Sequence, residues 1–164
     1  MSPACSVADV IIVAYLVVHA LVIVFVDSFV LMRPFVGGNS PWGALGMTGL
    51  LDGWAELAGD ELVARPPLWF SSILTVEVIF QLPYCLIAAA TWHRRSLWME
   101  RVGLVYAAHV LTTMVPIVPE LVASGARPAG LAVYGVWVAL PLLMLWRLLT
   151  APPAAEGSSK AKRT

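Results

Sequence analysis

The sequence carries little charge. Only 12% of its 164 residues are Asp, Glu, Lys or Arg, about half the share in a typical soluble domain. Lys and Arg balance Asp and Glu at ten each, so the chain lacks a strongly basic character and we expect no nucleic-acid partner. Hydrophobic residues make up 60%, more than a soluble domain of this length can bury. The composition therefore indicates a membrane protein that lies in a lipid bilayer.

Common catalytic and metal-binding motifs are also absent from the sequence. It contains no CxxC, HExxH, GxSxG, P-loop or glycine-rich dinucleotide-binding motif, and no apolar segment carries a Cys/His cluster. The two cysteines, Cys5 and Cys85, are too few for a disulfide framework. We therefore expect neither a metal nor a cofactor.

Four apolar segments are long enough to cross a bilayer. They run about 7–31, 67–90, 102–122 and 131–149, close to the ~20 residues that a spanning helix needs. Because lipid offers the backbone no hydrogen-bond partner, we expect each segment to be helical. No Lys or Arg precedes the first segment, which is longer than a signal-peptide core, so we interpret it as a retained span. The predicted fold is all-α, a polytopic four-transmembrane-helix bundle over residues 1–151.

Two regions lie outside the predicted spans. The segment 33–65 begins with a Gly/Pro turn signal at 37–41 and mixes apolar with acidic residues at 50–58. That mixture is typical of a short interfacial or re-entrant helix. Residues 152–164 have the composition of a disordered tail.

The distribution of Lys and Arg predicts the orientation of the bundle. With four spans, both termini share a side with the loop after the second span. Seven basic residues lie there: Arg94, Arg95, Arg101, Arg147, Lys160, Lys162 and Arg163. Three lie on the opposite side: Arg33, Arg65 and Arg127. The excess predicts that both termini are cytosolic.

The last residues carry a candidate sorting signal. Lys160 and Lys162 have the spacing from the C-terminus of a dilysine signal, which retrieves membrane proteins to the endoplasmic reticulum. The alternative is an ordinary basic tail that anchors the last helix. The signal requires a cytosolic tail, which the charge distribution predicts independently.

Two carboxylates lie inside the predicted spans. A central acid costs roughly 2.5–3.5 kcal/mol on membrane-insertion scales, so Asp27 and Glu77 should each face a partner, a cavity or a ligand. Tyr15 and His19 share one face of the first span, and Asp27 lies about 80° further round a regular helix. Gln81 follows Glu77 by four residues on the second span.

The third span carries a polar stripe of its own. Tyr106, His109, Thr112 and Thr113 recur at three- and four-residue spacing. Because polar groups that face lipid are unfavourable, we expect the stripes of the three spans to face one another. The polar side chains could form hydrogen bonds between the spans and so hold the helices together. Alternatively, the two acids could transfer a proton or hold a cationic ligand.

Prolines within the spans favour an internal cavity. Pro83, Pro116 and Pro141 each free a carbonyl and kink a helix. Trp137, within the fourth span, is a candidate for the lining of such a cavity, whereas the tryptophans near span ends are typical of the interfacial aromatic belt.

These motifs together resemble a known family. They are Pro66-Pro67-Leu68-Trp69-Phe70, Glu77, Phe80-Gln81-Leu82-Pro83, Tyr106, His109, Thr112-Thr113 and Pro116, preceded by Tyr15, His19 and Asp27. Their order and spacing resemble the EXPERA family, and within it the sigma-2 receptor branch. The resemblance implies a four-helix membrane protein of the endoplasmic reticulum with an intramembrane pocket for sterols and cationic amphiphiles. It also implies a homodimer and a sterol-transport protein as candidate partners.

The resemblance implies roles for individual residues. Asp27 matches the acid that pairs with a ligand's ammonium group, and Asp60 matches a second acid that supports the first from the loop. Glu77 and Gln81 match polar pocket residues of the second span. The remaining candidates for ligand binding are Tyr15, His19, Tyr106, Thr113 and Trp137. Residues 34–56 do not align with the family, and the segment before the fourth span is shorter than in the animal members of the family.

Two functions remain open from the sequence. The first is a protein that binds sterols and cationic amphiphiles in an acidic pocket, with a role in sterol homeostasis or trafficking. The second is a cofactor-independent sterol Δ8–Δ7 isomerase, the activity of the family's emopamil-binding protein. That reaction passes through a carbocation and needs an acid and a base with separated proton affinities. The candidates for these roles are Asp27, Glu77, His19 and His109.

Overall fold

Four long helices form the fold. The computed structural model describes residues 6–36, 45–94 and 96–150, with the side chains of 34–36 undescribed, and it has no β-strand in these ranges. The helices that are long and apolar enough to cross a membrane are Val7–Arg33, Leu68–Arg94, Leu97–Ala123 and Pro128–Thr150. They confirm the predicted all-α bundle and are called the first to fourth spans below. The tail 152–164, with Lys160 and Lys162, lies outside the described residues, as does Cys5.

The third span begins at Leu97 rather than near residue 102. The sequence 97–101 contains Glu100 and Arg101, which lowered its hydropathy and hid the first turn. Ser96 starts the helix instead, because its side-chain oxygen accepts a hydrogen bond from the backbone N–H of Met99.

The first and second spans are each interrupted by a wide π-helical turn. The first span consists of Val7–Val22, the π turn Ile23–Asp27 and a helix Ser28–Val36. The second consists of Leu68–Val76, the π turn Glu77–Gln81, Leu82–Thr91 and a 3₁₀ turn Trp92–Arg94. Each π turn accommodates one extra residue in the helix. In the second span Pro83, which has no N–H to donate, is the second residue after the wide turn.

The segment between the first two spans contains the expected short helix. It runs Met47–Ala58 and is followed by a single turn, Glu61–Ala64. We call Met47–Ala58 the loop helix. Its buried face carries Met47, Leu51 and Ala58, its exposed apolar face Leu50 and Leu57, and its polar face Asp52 and Glu56. Such a helix packs on the bundle with one face and presents a second face to lipid.

The loop helix is attached differently at its two ends. Near its C-terminal end, the carbonyl of Ala58 accepts a hydrogen bond from the backbone N–H of Arg127, at 2.8 Å. Gly130 allows this approach, because a Cβ there would lie 2.9 Å from the Ala58 carbonyl oxygen. Towards the other end, an ion pair of 2.6 Å joins Asp52 to Arg33 of the first span.

Buried side chains form two clusters along the bundle. One lies towards the N-terminal end of the first span and includes Leu16, Cys85 and Ala107. The other lies beneath the loop helix and includes Leu51 and Leu121. The cavity described below lies largely between the loop helix and the second cluster, so the loop segment completes the bundle at this end.

An ion pair joins three spans at the other end. The Asp9 carboxylate of the first span accepts hydrogen bonds from Arg147 Nη2 of the fourth span, at 2.8 Å, and from the indole N–H of Trp92, at 3.0 Å. Ser6 adds a backbone N–H and its hydroxyl, at 3.0 and 2.7 Å. We call Asp9, Trp92 and Arg147 the terminal clasp, because they fix the ends of three spans to one another.

Candidate functional site

The bundle encloses a cavity of about 480 Å³. All four spans and the loop segment contribute to its wall, and this volume lies within the usual range for small-molecule sites. The wall is largely apolar. Its residues are His19, Val22, Val26, Asp27, Val30, Leu50, Leu51, Gly53, Trp54, Leu57, Val63, Phe70, Leu74, Glu77, Val110, Met114, Ile117, Val133, Tyr134 and Trp137.

A pair of carboxyl groups forms the acidic part of this wall. The side chains of Asp27 and Glu77 lie close enough to interact with each other, and the two residues are only 8% and 7% exposed. A hydrogen bond between two carboxyl groups requires a proton on one of them. While it exists, the pair therefore carries at most one negative charge.

The π turn of the first span helps to place Asp27 in the cavity. In an uninterrupted helix, Asp27 would lie about 80° from His19 around the axis. The π turn Ile23–Asp27 contains one extra residue, which reduces the offset to about 20°. Both side chains consequently line the same cavity. Glu77 begins the corresponding turn of the second span, so both acids belong to irregular turns.

A buried polar network holds His19. Its Nδ1 lies 2.5 Å from the hydroxyl of Tyr106, which in turn donates to the hydroxyl of Tyr15 at 3.0 Å. The thiol of Cys85 also reaches the Tyr106 hydroxyl, at 3.5 Å. The imidazole packs against Trp137, with ring centroids 4.7 Å apart. Of these five residues, His19 and Trp137 line the cavity, and the two tyrosines lie behind them.

Asp60 lies behind the cavity wall. It is 1% exposed and accepts hydrogen bonds from the indole N–H of Trp54 at 3.0 Å and the hydroxyl of Tyr134 at 2.8 Å. Its other oxygen caps the turn Glu61–Ala64 through the backbone N–H of Val63. Trp54 and Tyr134 do line the cavity, whereas Asp60 does not. Asp60 thus fixes two aromatic wall residues.

Three other predicted site residues, Gln81, His109 and Thr113, do not line the cavity. Gln81 Nε2 of the second span lies 2.9 Å from His109 Nδ1 of the third. Thr113 donates to the carbonyl of Val110 in its own helix. The Oε1 atom of Gln81 is buried and has no hydrogen-bond partner among the described residues.

Sequence reasoning missed the contribution of the loop segment and of Tyr134. The segment 34–56 contains none of the motifs that carried the family resemblance, although its second half supplies wall residues such as Leu51 and Trp54. Tyr134 precedes Trp137 by three residues and shares its face of the fourth span. This spacing could have indicated that Tyr134 lines the cavity beside Trp137. The contact between Tyr134 and Asp60 is visible only in the folded structure.

Comparison with known proteins identifies the family. Residues 46–148 match the model of the family described as EXPERA (EXPanded EBP superfamily). The chain belongs to the EXPERA family. The matched range contains Asp60, Glu77 and nearly all of the last three spans, whereas Asp27 and His19 precede it. It begins at residue 46, so the prediction that residues 34–56 do not align with the family was wrong for the second half of that segment. This family is the one that the sequence motifs predicted.

Individual relatives agree with this membership. The chain is 30% identical over 120 residues to Sigma intracellular receptor 2 of Homo sapiens and of Macaca fascicularis, covering 63% of this chain and 68% of each relative. It is 27% identical over 119 residues to the protein of the same name from Xenopus tropicalis, covering 63% and 69%.

Proposed function

We propose that this EXPERA protein binds sterols and cationic amphiphiles in its intramembrane cavity and acts in sterol homeostasis or trafficking. The observation that carries the proposal is the carboxyl pair, Asp27 and Glu77, in an otherwise apolar cavity between membrane spans. Such a wall suits an apolar ligand with one cationic or hydroxyl-bearing end. The name of the relatives, Sigma intracellular receptor 2, supports a binding function.

The charge of the pair suits a single ammonium group. An isolated carboxylate at this depth would be unfavourable, but a pair that shares a proton can carry one negative charge. One ligand ammonium group neutralises that charge and donates a charge-assisted hydrogen bond to the Asp27 carboxylate. A neutral sterol hydroxyl can instead donate to, or accept from, the same pair.

The wall is completed by aromatic residues that Asp60 holds in place. Its hydrogen bonds to Trp54 and Tyr134 fix two rings that face the cavity. Asp60 thus supports the ligand site without touching the ligand. These hydrogen bonds are a physical basis for the supporting role that the family resemblance implies for Asp60.

The ligand enters from the bilayer in this proposal. Leu50 and Leu57 of the loop helix line the cavity and are each 62% exposed. Val133 of the fourth span also lines it and is partly exposed. An apolar edge at this position allows a lipophilic molecule to enter sideways without passing through water.

A second candidate function is sterol Δ8–Δ7 isomerisation without a cofactor. The observation that favours it is the position of His19 in the same cavity as the carboxyl pair. A protonated carboxyl could supply the proton that forms the carbocation, and a neighbouring base could remove a different proton. His109, which lies outside the cavity wall, is then a less suitable base than Asp27, Glu77 or His19.

We also propose a cellular location and protein partners. We propose that the protein lies in the endoplasmic reticulum membrane, as the family resemblance implies, with both termini cytosolic, as the Lys/Arg distribution predicts. A homodimer and a sterol-transport protein are the proposed protein partners, on the basis of the family resemblance.

A binding experiment tests the central assignment. A fluorescent cationic amphiphile is titrated into the purified protein in nanodiscs, for the wild type, Asp27→Asn and Asp52→Asn. Loss of the charge in the cavity should weaken binding at least tenfold, since a charged hydrogen bond contributes roughly 1.5–3 kcal/mol. Asp52→Asn is the matched control, because Asp52 pairs with Arg33 outside the cavity. Equal affinity of Asp27→Asn and the wild type would refute the assignment.

Complementation separates the two functions. The gene is expressed in yeast that lacks sterol Δ8–Δ7 isomerase, and sterols are measured by mass spectrometry. Conversion by the wild type that is lost in Glu77→Gln and Asp27→Asn would establish an isomerase. Absence of conversion, with amphiphile binding intact, would favour the binding protein.

A further inference from the structure

The cavity wall has polar side chains at two heights along the axis of the first span, which we call levels. Asp27 and its partner Glu77 form one level, and His19 forms the other. The remaining wall residues with N–H or O–H groups are Trp54, Tyr134 and Trp137. The donor groups of Trp54 and Tyr134 are already bonded to Asp60, and the indole of Trp137 can donate a hydrogen bond but cannot accept one. Besides the carboxyl pair, His19 therefore offers a second place in the described wall where a ligand hydroxyl can donate a hydrogen bond, to an imidazole nitrogen.

The imidazole of His19 is held in one orientation. Its Nδ1 atom contacts the Tyr106 hydroxyl, and its ring lies against Trp137 on one side and near Tyr15, at 5.5 Å between centroids, on another. The residue is 4% exposed. A ring fixed in this way retains its orientation when a ligand arrives, so little conformational entropy is lost on binding.

The hydrogen-bond directions determine which group a ligand must offer. The hydroxyl of Tyr106 has one hydrogen, which it donates to Tyr15. The bond between His19 and Tyr106 then takes its hydrogen from Nδ1. In the neutral imidazole this leaves Nε2 as an acceptor. Nε2 has no hydrogen-bond partner among the described residues.

The two levels are separated by a defined distance. His19 and Asp27 are eight residues apart, which corresponds to roughly 10–12 Å along a helix that contains one π turn. Because that turn also brings them to within about 20° of one face, a single extended ligand can reach both.

We propose that His19 is a specificity-determining second anchor, selective for an elongated apolar amphiphile that carries a hydroxyl roughly 10–12 Å from its cationic or polar head. The inference rests on the proposed function of the same cavity. A hydroxyl buried in an apolar wall without a partner lowers affinity. Nε2 of His19 removes that penalty for a hydroxyl at the matching distance, and so selects it over shorter or longer ligands.

Matched ligand pairs test the proposal. The probes are primary alkylamines from hexyl to dodecyl, each compared with the amino alcohol that has a hydroxyl on its terminal carbon. Dissociation constants are measured by competition with the fluorescent amphiphile for the wild type, His19→Phe and His93→Phe. His93 lies in an exposed turn outside the cavity and is the matched control. The bilayer affects each probe equally for every variant, so its contribution cancels in the comparison.

The expected result is a coupling between the hydroxyl and His19. At the matching chain length, the hydroxyl should improve relative affinity about three- to tenfold in the wild type and His93→Phe compared with His19→Phe. At other lengths the effect should vanish. The same hydroxyl effect in His19→Phe as in the wild type would overturn the inference, while binding of plain amines that still depends on Asp27 would leave the proposed function intact.

Two further measurements test the direction of the hydrogen bond. Replacing the probe's hydroxyl by a methyl ether removes its hydrogen, and the affinity gain should disappear in the wild type. In Tyr106→Phe, Nδ1 loses its partner and the other tautomer becomes accessible, so the ether should regain affinity relative to the hydroxyl. An ether that binds the wild type as well as the hydroxyl does would show that Nε2 is not the acceptor.

Discussion

At the scale of single residues, four acids in this protein have different partners and different roles. Asp27 and Glu77 lie together in the cavity wall, whereas Asp9 is paired with an arginine. Asp60 accepts three hydrogen bonds from neutral donors. The sequence predicted that Asp27 and Glu77 face a partner. It could not predict that Asp60 lies behind the wall, because its partner Tyr134 is 74 residues away.

Removing Asp60 should weaken ligand binding indirectly. Asp60→Ala leaves the indole N–H of Trp54 and the hydroxyl of Tyr134 without an acceptor, and each unpaired buried group costs about 1–3 kcal/mol. We expect a lower thermal midpoint together with weaker amphiphile binding. Tyr134→Phe and Trp54→Phe should each reproduce part of both effects. If Asp60→Ala lost binding while stability and both aromatic variants stayed at the wild-type level, Asp60 would have to contact the ligand directly.

Breaking the terminal clasp should destabilise the bundle. Asp9→Asn leaves Arg147 without its carboxylate, and losing one partner of a buried ion pair typically costs about 3–5 kcal/mol. The double variant Asp9→Asn, Arg147→Gln should be more stable than Asp9→Asn alone, because it buries no unpaired charge. Thermal unfolding in detergent measures both. A double variant that is less stable than either single one would contradict this explanation.

At the scale of helices, hydropathy predicted the four spans but not their irregular turns. Apolar length decides whether a helix can cross lipid, and the sequence shows it directly. Neither π turn produces a change in hydropathy, and Pro83 marks only the second. Consequently the sequence placed Asp27 about 80° from His19, whereas the extra residue in the turn reduces this angle to about 20°.

The contact between the loop helix and the fourth span depends on a glycine. In Gly130→Ala the added Cβ would lie 2.9 Å from the carbonyl oxygen of Ala58, so the loop helix must move away. We expect weaker amphiphile binding and a lower thermal midpoint. Gly135→Ala, in the same helix, adds a Cβ that meets no atom within 4 Å and should be neutral or slightly stabilising. Equal behaviour of the two variants would show that this contact does not position the loop helix.

At the scale of the whole molecule, the protein is a membrane bundle with a laterally placed cavity. The fourth span is the least buried. Of its most apolar 18-residue stretch, 17% is buried inside the protein, compared with 33–39% for the corresponding stretches of the other spans. Lipid covers such a surface as readily as another helix would, so specific contacts must hold this span in place. Those contacts include Arg147 with Asp9, Tyr134 with Asp60, and Gly130 with Ala58.

The orientation of the bundle can be tested independently of its ligand. A C-terminal epitope tag in sealed microsomes should be removed by added protease, because the Lys/Arg distribution predicts cytosolic termini. A tag placed in the segment between the first two spans should be protected until detergent is added. The opposite pattern of protection would reverse the predicted topology.

The contacts of the fourth span also determine when the chain can finish assembling during synthesis. Arg147 follows Asp9 by 138 residues, and Tyr134 follows Asp60 by 74. A ribosome releases the first three spans before either partner exists, so the contact of Asp9 with Arg147 and that of Asp60 with Tyr134 cannot form until the fourth span is made. Assembly therefore ends with the last helix, and a chain truncated before residue 128 should be recognised as incomplete and degraded.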